Sequence, residues 1–213
     1  MPDSRPQVIT PIDRQIRKLA AMAYGESSPE NNPDEIYAIA SVLERQRIAR
    51  GYADIVMFSI RDKTFSFVVR DGNKRYKKLM EASDAAIQQD AGMHCAVEAA
   101  LNAMAGGPDH SNGAYFWDGA DIKTNYKRHA KVKVGIRFSD PSHNIYKIAE
   151  STNLVIKTKT VVRKDTVTGK KTSTVEEIGR FDHVYESTAA HGGTIFWRIS
   201  PQYLLVMKAK EYR

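Results

Sequence analysis

Apolar residues recur at helical spacing over 12–24, where Ile12, Ile16, Leu19, Ala20 and Ala23 share a face. Gly25 reads as the stop of that helix. A second helix is predicted from Asn32-Pro33-Asp34-Glu35. Asn caps, Pro suits the first helical position, and the acids suit the positive end of the helix dipole. Ile36, Ile39, Ala40 and Leu43 form its buried stripe, which runs to about Arg50. Glu35 is expected to do no more than complement that dipole. A helical turn is expected at 53–60, and further helices at 74–88 and 92–105, the last ended by Gly106-Gly107-Pro108.

Beyond residue 150 the pattern changes from a period of 3.6 to a period of two. LVIKTKTVVRKDTVTGKKTSTVEEIGRFDHVYE is rich in Thr and Val, and Asp165 to Gly169 reads as a hairpin tip. TIFWRISPQYLLVMKAKEYR predicts a strand followed by a helix. SHNIYKI and DHVYE hint at two short His-aromatic strands. The expected fold is mainly α, with residues 1–150 as a helical domain. Residues 151–213 are expected to form a β-rich, hairpin-containing extension packed on it, α+β overall.

The chain has 213 residues, enough for one sizeable domain. No apolar run approaches the roughly 20 residues of a membrane span, so no membrane insertion is expected. The polar opening MPDSRPQVITPIDRQ has no apolar core of a signal peptide. The protein is therefore expected to be made in the cytoplasm, to remain there or leave by a route that needs no such signal. A net charge of +7 points to an anionic partner: nucleic acid, anionic lipid or peptidoglycan carboxylates. The one cysteine, Cys95, excludes an internal disulfide and reads as a small buried hydrophobe. Neither CxxC nor HExxH occurs, so no metal site or cofactor is expected.

Glu26 carries the candidate chemistry. It follows the first helix at the mouth of an open loop, ESSPENN. A carboxyl partly buried against apolar groups keeps its proton near neutral pH and can act as a general acid. Tyr24 and the aromatic run Tyr115-Phe116-Trp117 are available to bury it. Glycosidic cleavage needs such an acid for the leaving oxygen. Asn73 and Asp109 read first as turn or cap residues. The cations Arg70, Lys74, Arg75, Lys77 and Lys78 read first as a solvated helix face.

Tyr24-Gly25-Glu26, followed by a polar loop and the helix IYAIASVLERQ, resembles the opening of the SleB-like cell-wall hydrolases. Ser27-Ser28 depart from that family's usual Ala-Arg. Thr64-Phe65-Ser66-Phe67 with Asp71-Gly72-Asn73 and Tyr76 is similar to its Phe-Ser-aromatic segment before a short turn and helix. AVEAALNAMAGGPDHSNGAYFW resembles its helix, turn and Gly-Ala-aromatic strand, and Ser142-His143-Asn144-Ile145-Tyr146 its closing His-aromatic strand. The matches run in order over roughly 12–148.

The resemblance implies a lysozyme-like helical domain that cleaves the β-1,4 bond between N-acetylmuramic acid and N-acetylglucosamine of peptidoglycan. It assigns Glu26 as general acid/base and places Tyr24, Ser66, Asn73, Tyr115 and His143 along the glycan groove. Both hydrolysis (a muramidase) and internal attack by the muramoyl 6-hydroxyl (a lytic transglycosylase) stay open. It further implies a secreted protein acting in a target cell's periplasm or wall. Two forms are weighed: an antibacterial type VI secretion effector with an immunity protein in the Glu26 cleft, or a phage-type lysin. The competing readings are a basic nucleic-acid-binding module, which the expected partner set excludes, and a wall-binding relative that cuts nothing.

Overall fold

The computed structural model describes residues 11–62, 66–69 and 72–212, and only the backbone of Ser66 and Phe67. Thr64, Phe65, Arg70 and Asp71, which contributed to the patterns above, lie outside the described residues. Helix α1 (Arg14–Glu26) starts at Asp13, whose carboxylate accepts from Gln15 N at 2.7 Å. Helix α2 (Pro33–Ala49) begins as its sequence predicts, with the Asn32 side chain accepting from Glu35 N at 3.1 Å. Helix α3 (Ile55–Arg61) follows, and residues Ser66–Val69 form a single helical turn, α4.

The helix expected over 74–88 divides into α5 (Lys74–Glu81) and α6 (Asp84–Gln89). Ala82 and Ser83 are extended, and the Ser83 hydroxyl caps Ala86 N, so a serine that favours caps restarts the helix. Helix α7 (Ala91–Met104) closes the helical layer and ends before Gly106, which holds φ +69°. Leu19, Met22, Ile36, Ile39, Leu43, Phe58 and Leu79 are fully buried between these helices.

The expectation of a mainly α fold is corrected: the protein is α+β, with 46% helix and 21% strand, and the described residues form two sheets. Strand β1 (Phe116–Asp118) is followed by α8 (Asp121–Thr124), α9 (Ala130–Val134) and the two-residue β2 (Ile136–Arg137). Then come β3 (Val155–Lys164), β4 (Lys171–Phe181), β5 (Tyr185–His191), β6 (Thr194–Ile199) and α10 (Pro201–Met207). One sheet has the order β1-β6-β5-β2; β2 runs parallel to β5 and the other pairings are antiparallel. It unites strands from both sides of residue 150. The segment at Pro141–His143 is a 3₁₀ turn rather than a strand.

Strand β6 explains why this sheet is internal. Its side chains alternate: Phe196 joins the helical core, while Ile195 and Trp197 enter a second core with Ile122, Val132 and Ile136. Being buried on both faces, it reads as a continuous apolar run, TIFW, without polar alternation. The other sheet is the hairpin β3–β4, whose Asp165 carboxylate accepts from Val167 N and Thr168 N at the predicted tip. Val162, Val167 and Val175 on it are exposed, and α10 packs against its base, where Gly179 leaves room for Val206. Among the described residues no helix is long and apolar enough to cross a membrane.

Glu35 joins the helices to the sheet. It is completely buried and accepts four hydrogen bonds. Oε2 takes Ser28 N at 3.1 Å and Ser28 Oγ at 2.6 Å, and Oε1 takes Gly193 N at 3.2 Å and Thr194 Oγ1 at 2.6 Å. A carboxylate has about four acceptor sites, so each finds a donor. Gly192 has φ +55°, and a Cβ there would lie 2.6 Å from Glu35 Oε2. The tight β5–β6 turn thus brings its backbone against the carboxylate because it has no side chain. Replacing Glu35 by Gln turns one acceptor oxygen into a donor facing donors. Glu35→Gln is expected to lower unfolding free energy by about 2–4 kcal/mol, read from urea denaturation.

Candidate active site

Glu26 is the last residue of α1 and is half-buried. The carbonyls at a helix C-terminus lack partners within the helix and must find them elsewhere. Here side chains supply them. Asn73 Nδ2 donates to Gly25 O at 2.8 Å, and Arg75 Nε donates to Tyr24 O at 2.7 Å. Arg75 Nη2 also donates to Ser27 Oγ at 3.1 Å and Asn31 Oδ1 at 2.8 Å. A cation at the negative end of the helix is favourable in itself. Arg75, expected on a solvated face, therefore fixes the end of α1 and the loop that follows it.

Gly25 is needed for a reason other than the one its sequence position suggests. It lies inside the helix and does not take a left-handed conformation. A Cβ there would meet Val68 Cγ2 at 2.6 Å and Tyr76 Cβ at 3.0 Å. Close approach of α4 and α5 to α1, not helix termination, requires glycine beside Glu26.

Burial raises the Glu26 carboxyl above its ordinary 4.5, and a hydrogen bond from the Trp117 side chain pulls it part of the way back. Trp117 sits on β1 opposite Phe196 of β6 and packs on the helical core. The acid thus comes from the helical layer and its hydrogen-bond donor from the sheet, and Glu35 joins the two layers beside them.

The other expected groove residues are dispersed. Tyr24 is corrected to a core residue: it is 3% exposed, with the Arg75 guanidinium 3.8 Å from its ring centroid. Its bulk helps exclude water from α1. Asn73 is the N-cap of α5, accepting from Tyr76 N at 3.0 Å, and braces the backbone one residue before Glu26. Ser66 begins α4, and its side chain lies outside the described residues.

Tyr115 faces elsewhere. It lines a cavity of about 380 Å³ with Arg45, Ile48 and Asp109, and its ring lies 6.5 Å from that of Tyr212. Burial and a hydrogen bond with Glu211 raise its phenol. Asp109 is a turn former, as its sequence suggests: its carboxylate accepts from Ser111 N and Gly113 N and pairs with Arg45. His143 bonds through Nδ1 to Ser187 Oγ of β5 at 2.9 Å, and burial lowers its pKa. It braces the β5 side of the sheet.

Three residues central to this site have roles the sequence pattern did not assign them: Trp117 as the hydrogen-bond donor to Glu26, Arg75 as the brace of the end of α1, and Glu35 as the link between helices and sheet. A Trp on a strand flanked by Gly-Ala and Asp-Gly, GAYFWDG, was the one local signal, but nothing in it singled out the indole from its aromatic neighbours.

No protein-family model, no curated protein and no solved structure matches this chain. What the geometry offers is a half-buried carboxyl whose pKa burial raises, hydrogen-bonded to an indole, at a rigidly braced helix end.

That geometry has a cost in stability. Below about pH 4.5 Glu26 is protonated whether folded or unfolded. As pH rises, the unfolded chain releases the proton first, so folding stability falls until the raised folded value is passed. Glutamine cannot ionise. Glu26→Gln is expected to melt at a higher temperature than wild type at pH 7, with the difference closing below about pH 4.5 in thermal scans across pH.

Proposed function

We propose that this protein cleaves peptidoglycan glycan strands at the β-1,4 bond between N-acetylmuramic acid and N-acetylglucosamine, with Glu26 as general acid/base. The observation that carries this reading is the raised Glu26 carboxyl at the braced end of α1, hydrogen-bonded to Trp117. A protonated carboxyl donates its proton to the glycosidic oxygen as the bond to the anomeric carbon breaks. The carboxylate left behind is stabilised by the Trp117 hydrogen bond, because a donor favours the charged form. It then takes a proton from the attacking water, or from the muramoyl 6-hydroxyl when attack is internal, and is ready again. Both routes use the same acid, and internal attack needs no second carboxylate.

The net charge of +7 favours retention on an anionic wall. Peptidoglycan lies outside the cytoplasmic membrane, so the reading includes delivery to a target cell, as an antibacterial effector or a lysin. An immunity protein covering Glu26 belongs to the effector form.

Digestion of purified sacculi, with soluble products identified by mass, tests the assignment. Wild type is expected to release disaccharide-peptides and Glu26→Gln to lose at least about 10²-fold in rate. Products lighter by one water mark internal attack. Equal release by both proteins removes Glu26 from the mechanism. Binding without release by either protein leaves a wall-binding module.

The pH profile supplies a separate check. Activity should fall as pH rises through the raised Glu26 value, since only the protonated form donates. Trp117→Phe removes the donor that favours the carboxylate. Its alkaline limb is therefore expected at higher pH than that of wild type.

A further inference from the structure

Asp118, Asp121 and His129 converge on a point on the sheet's second core, where the glycan reading gives them no role. Asp118 ends β1, and a Gly119-Ala120 turn carries the chain into α8, which opens at Asp121. His129 immediately precedes α9. Ile122 of α8 and Val132 of α9 are buried beside Trp197 and Ile195, so both short helices are anchored where they present these side chains. The ligand atoms of the three residues all lie within 4.8 Å of one another. His129 Nε2 is 3.3 Å from Asp118 Oδ1 and 3.4 Å from Asp121 Oδ2. Donors bonded to one tetrahedral zinc at about 2.0–2.1 Å stand roughly 3.4 Å apart, so these two separations already suit a shared ion.

A second observation distinguishes this cluster from a surface ion pair. Asp118 is only 9% exposed; Lys131 Nζ bonds its Oδ1 at 2.8 Å, yet its Oδ2 is buried with no partner. A buried carboxylate oxygen normally has a hydrogen-bond partner, and leaving it without one is costly. His129 Nδ1 is likewise buried and unpartnered, so no second bond fixes the tautomer of the ring.

We propose that Asp118, Asp121 and His129 bind a dication of the zinc type, with water completing the coordination. One imidazole nitrogen and two carboxylates suit zinc or manganese better than the oxygen-only preference of magnesium or calcium. Asp118 Oδ1, the oxygen 3.3 Å from His129 Nε2, also holds Lys131 Nζ, so the ion shares that oxygen with Lys131 or takes the unpartnered Oδ2. The site clips β1, α8 and the start of α9 together.

Titration calorimetry of the chelator-treated full chain with zinc chloride tests this. One equivalent of Zn²⁺ is expected to bind wild type and raise its melting temperature, since an ion that binds only the folded state stabilises it. Asp118→Asn and His129→Ala should each weaken binding by more than about tenfold. Asp121 is largely exposed, so Asp121→Asn should fold normally and show the same weakening. His94→Ala, remote from the cluster, should bind as wild type does. Cobalt titrated into wild type should give the visible bands of a nitrogen- and oxygen-ligated ion, whatever the variants do. Absence of stoichiometric Zn²⁺ binding by wild type, or undiminished binding in Asp121→Asn and His129→Ala, overturns the proposal.

Discussion

One buried carboxylate holds the two layers of this protein in register. Glu35 has no exposure, and its four acceptor sites are divided between Ser28 on the helical side and Gly193 with Thr194 on the sheet side. A charge without water is tolerated only when its hydrogen bonds are complete, so neither layer can slide without leaving it short. Tyr146 adds to the junction by donating its hydroxyl to Gly193 O. The Glu26 site inherits its geometry from this constraint. Ser28 lies two residues beyond the acid, and Thr194 starts the strand that pairs with the one carrying Trp117.

Glu26 and Glu35 are nine residues apart in the chain and have opposite physical chemistry. Glu35 is more buried yet fully bonded, and its work is positional. Glu26 is less buried, has burial as the main influence on its proton, and opposes folding at neutral pH. Such a group persists where function requires it, at some expense in stability. The surrounding rigidity offsets that expense: Asn73 and Arg75 complete the end of α1, and Gly25 lets α4 and α5 close on it.

Elements whose stabilising contacts are local were legible in the sequence. Helices α1, α2 and α7 carry apolar stripes with caps, and the β3–β4 hairpin carries strict alternation around a turn. The sheet was not legible in the same way. Strands β1 and β2 have three and two residues, too short for any period, and β2 pairs with a strand nearly 50 residues later. That is why a mainly α fold was expected. Glu26 stood out because a lone acid after a helix has few structural reasons to be there. Glu35 did not, because Asn-Pro-Asp-Glu already explains an acid in a first turn. Tyr24 was misplaced because an aromatic next to an acid reads equally well as ligand platform or core. Its fate depended on Arg75, 51 residues away.

The Glu35 bonds to Gly193 and Thr194 span 158 and 159 residues. Synthesis on the ribosome runs from the N-terminus, so α2 emerges long before its partners on β6 exist. Until they do, half of the acceptor capacity of Glu35 depends on water, and the helical layer has no sheet to close against. Trp117 can approach Glu26 earlier in the chain's growth, but β6, the strand that holds β1 in place, is made only after it. The arrangement around Glu26 is therefore completed only once residue 194 and the strand it begins have been made, and a chain truncated before residue 194 would contain the acid without the frame that tunes it.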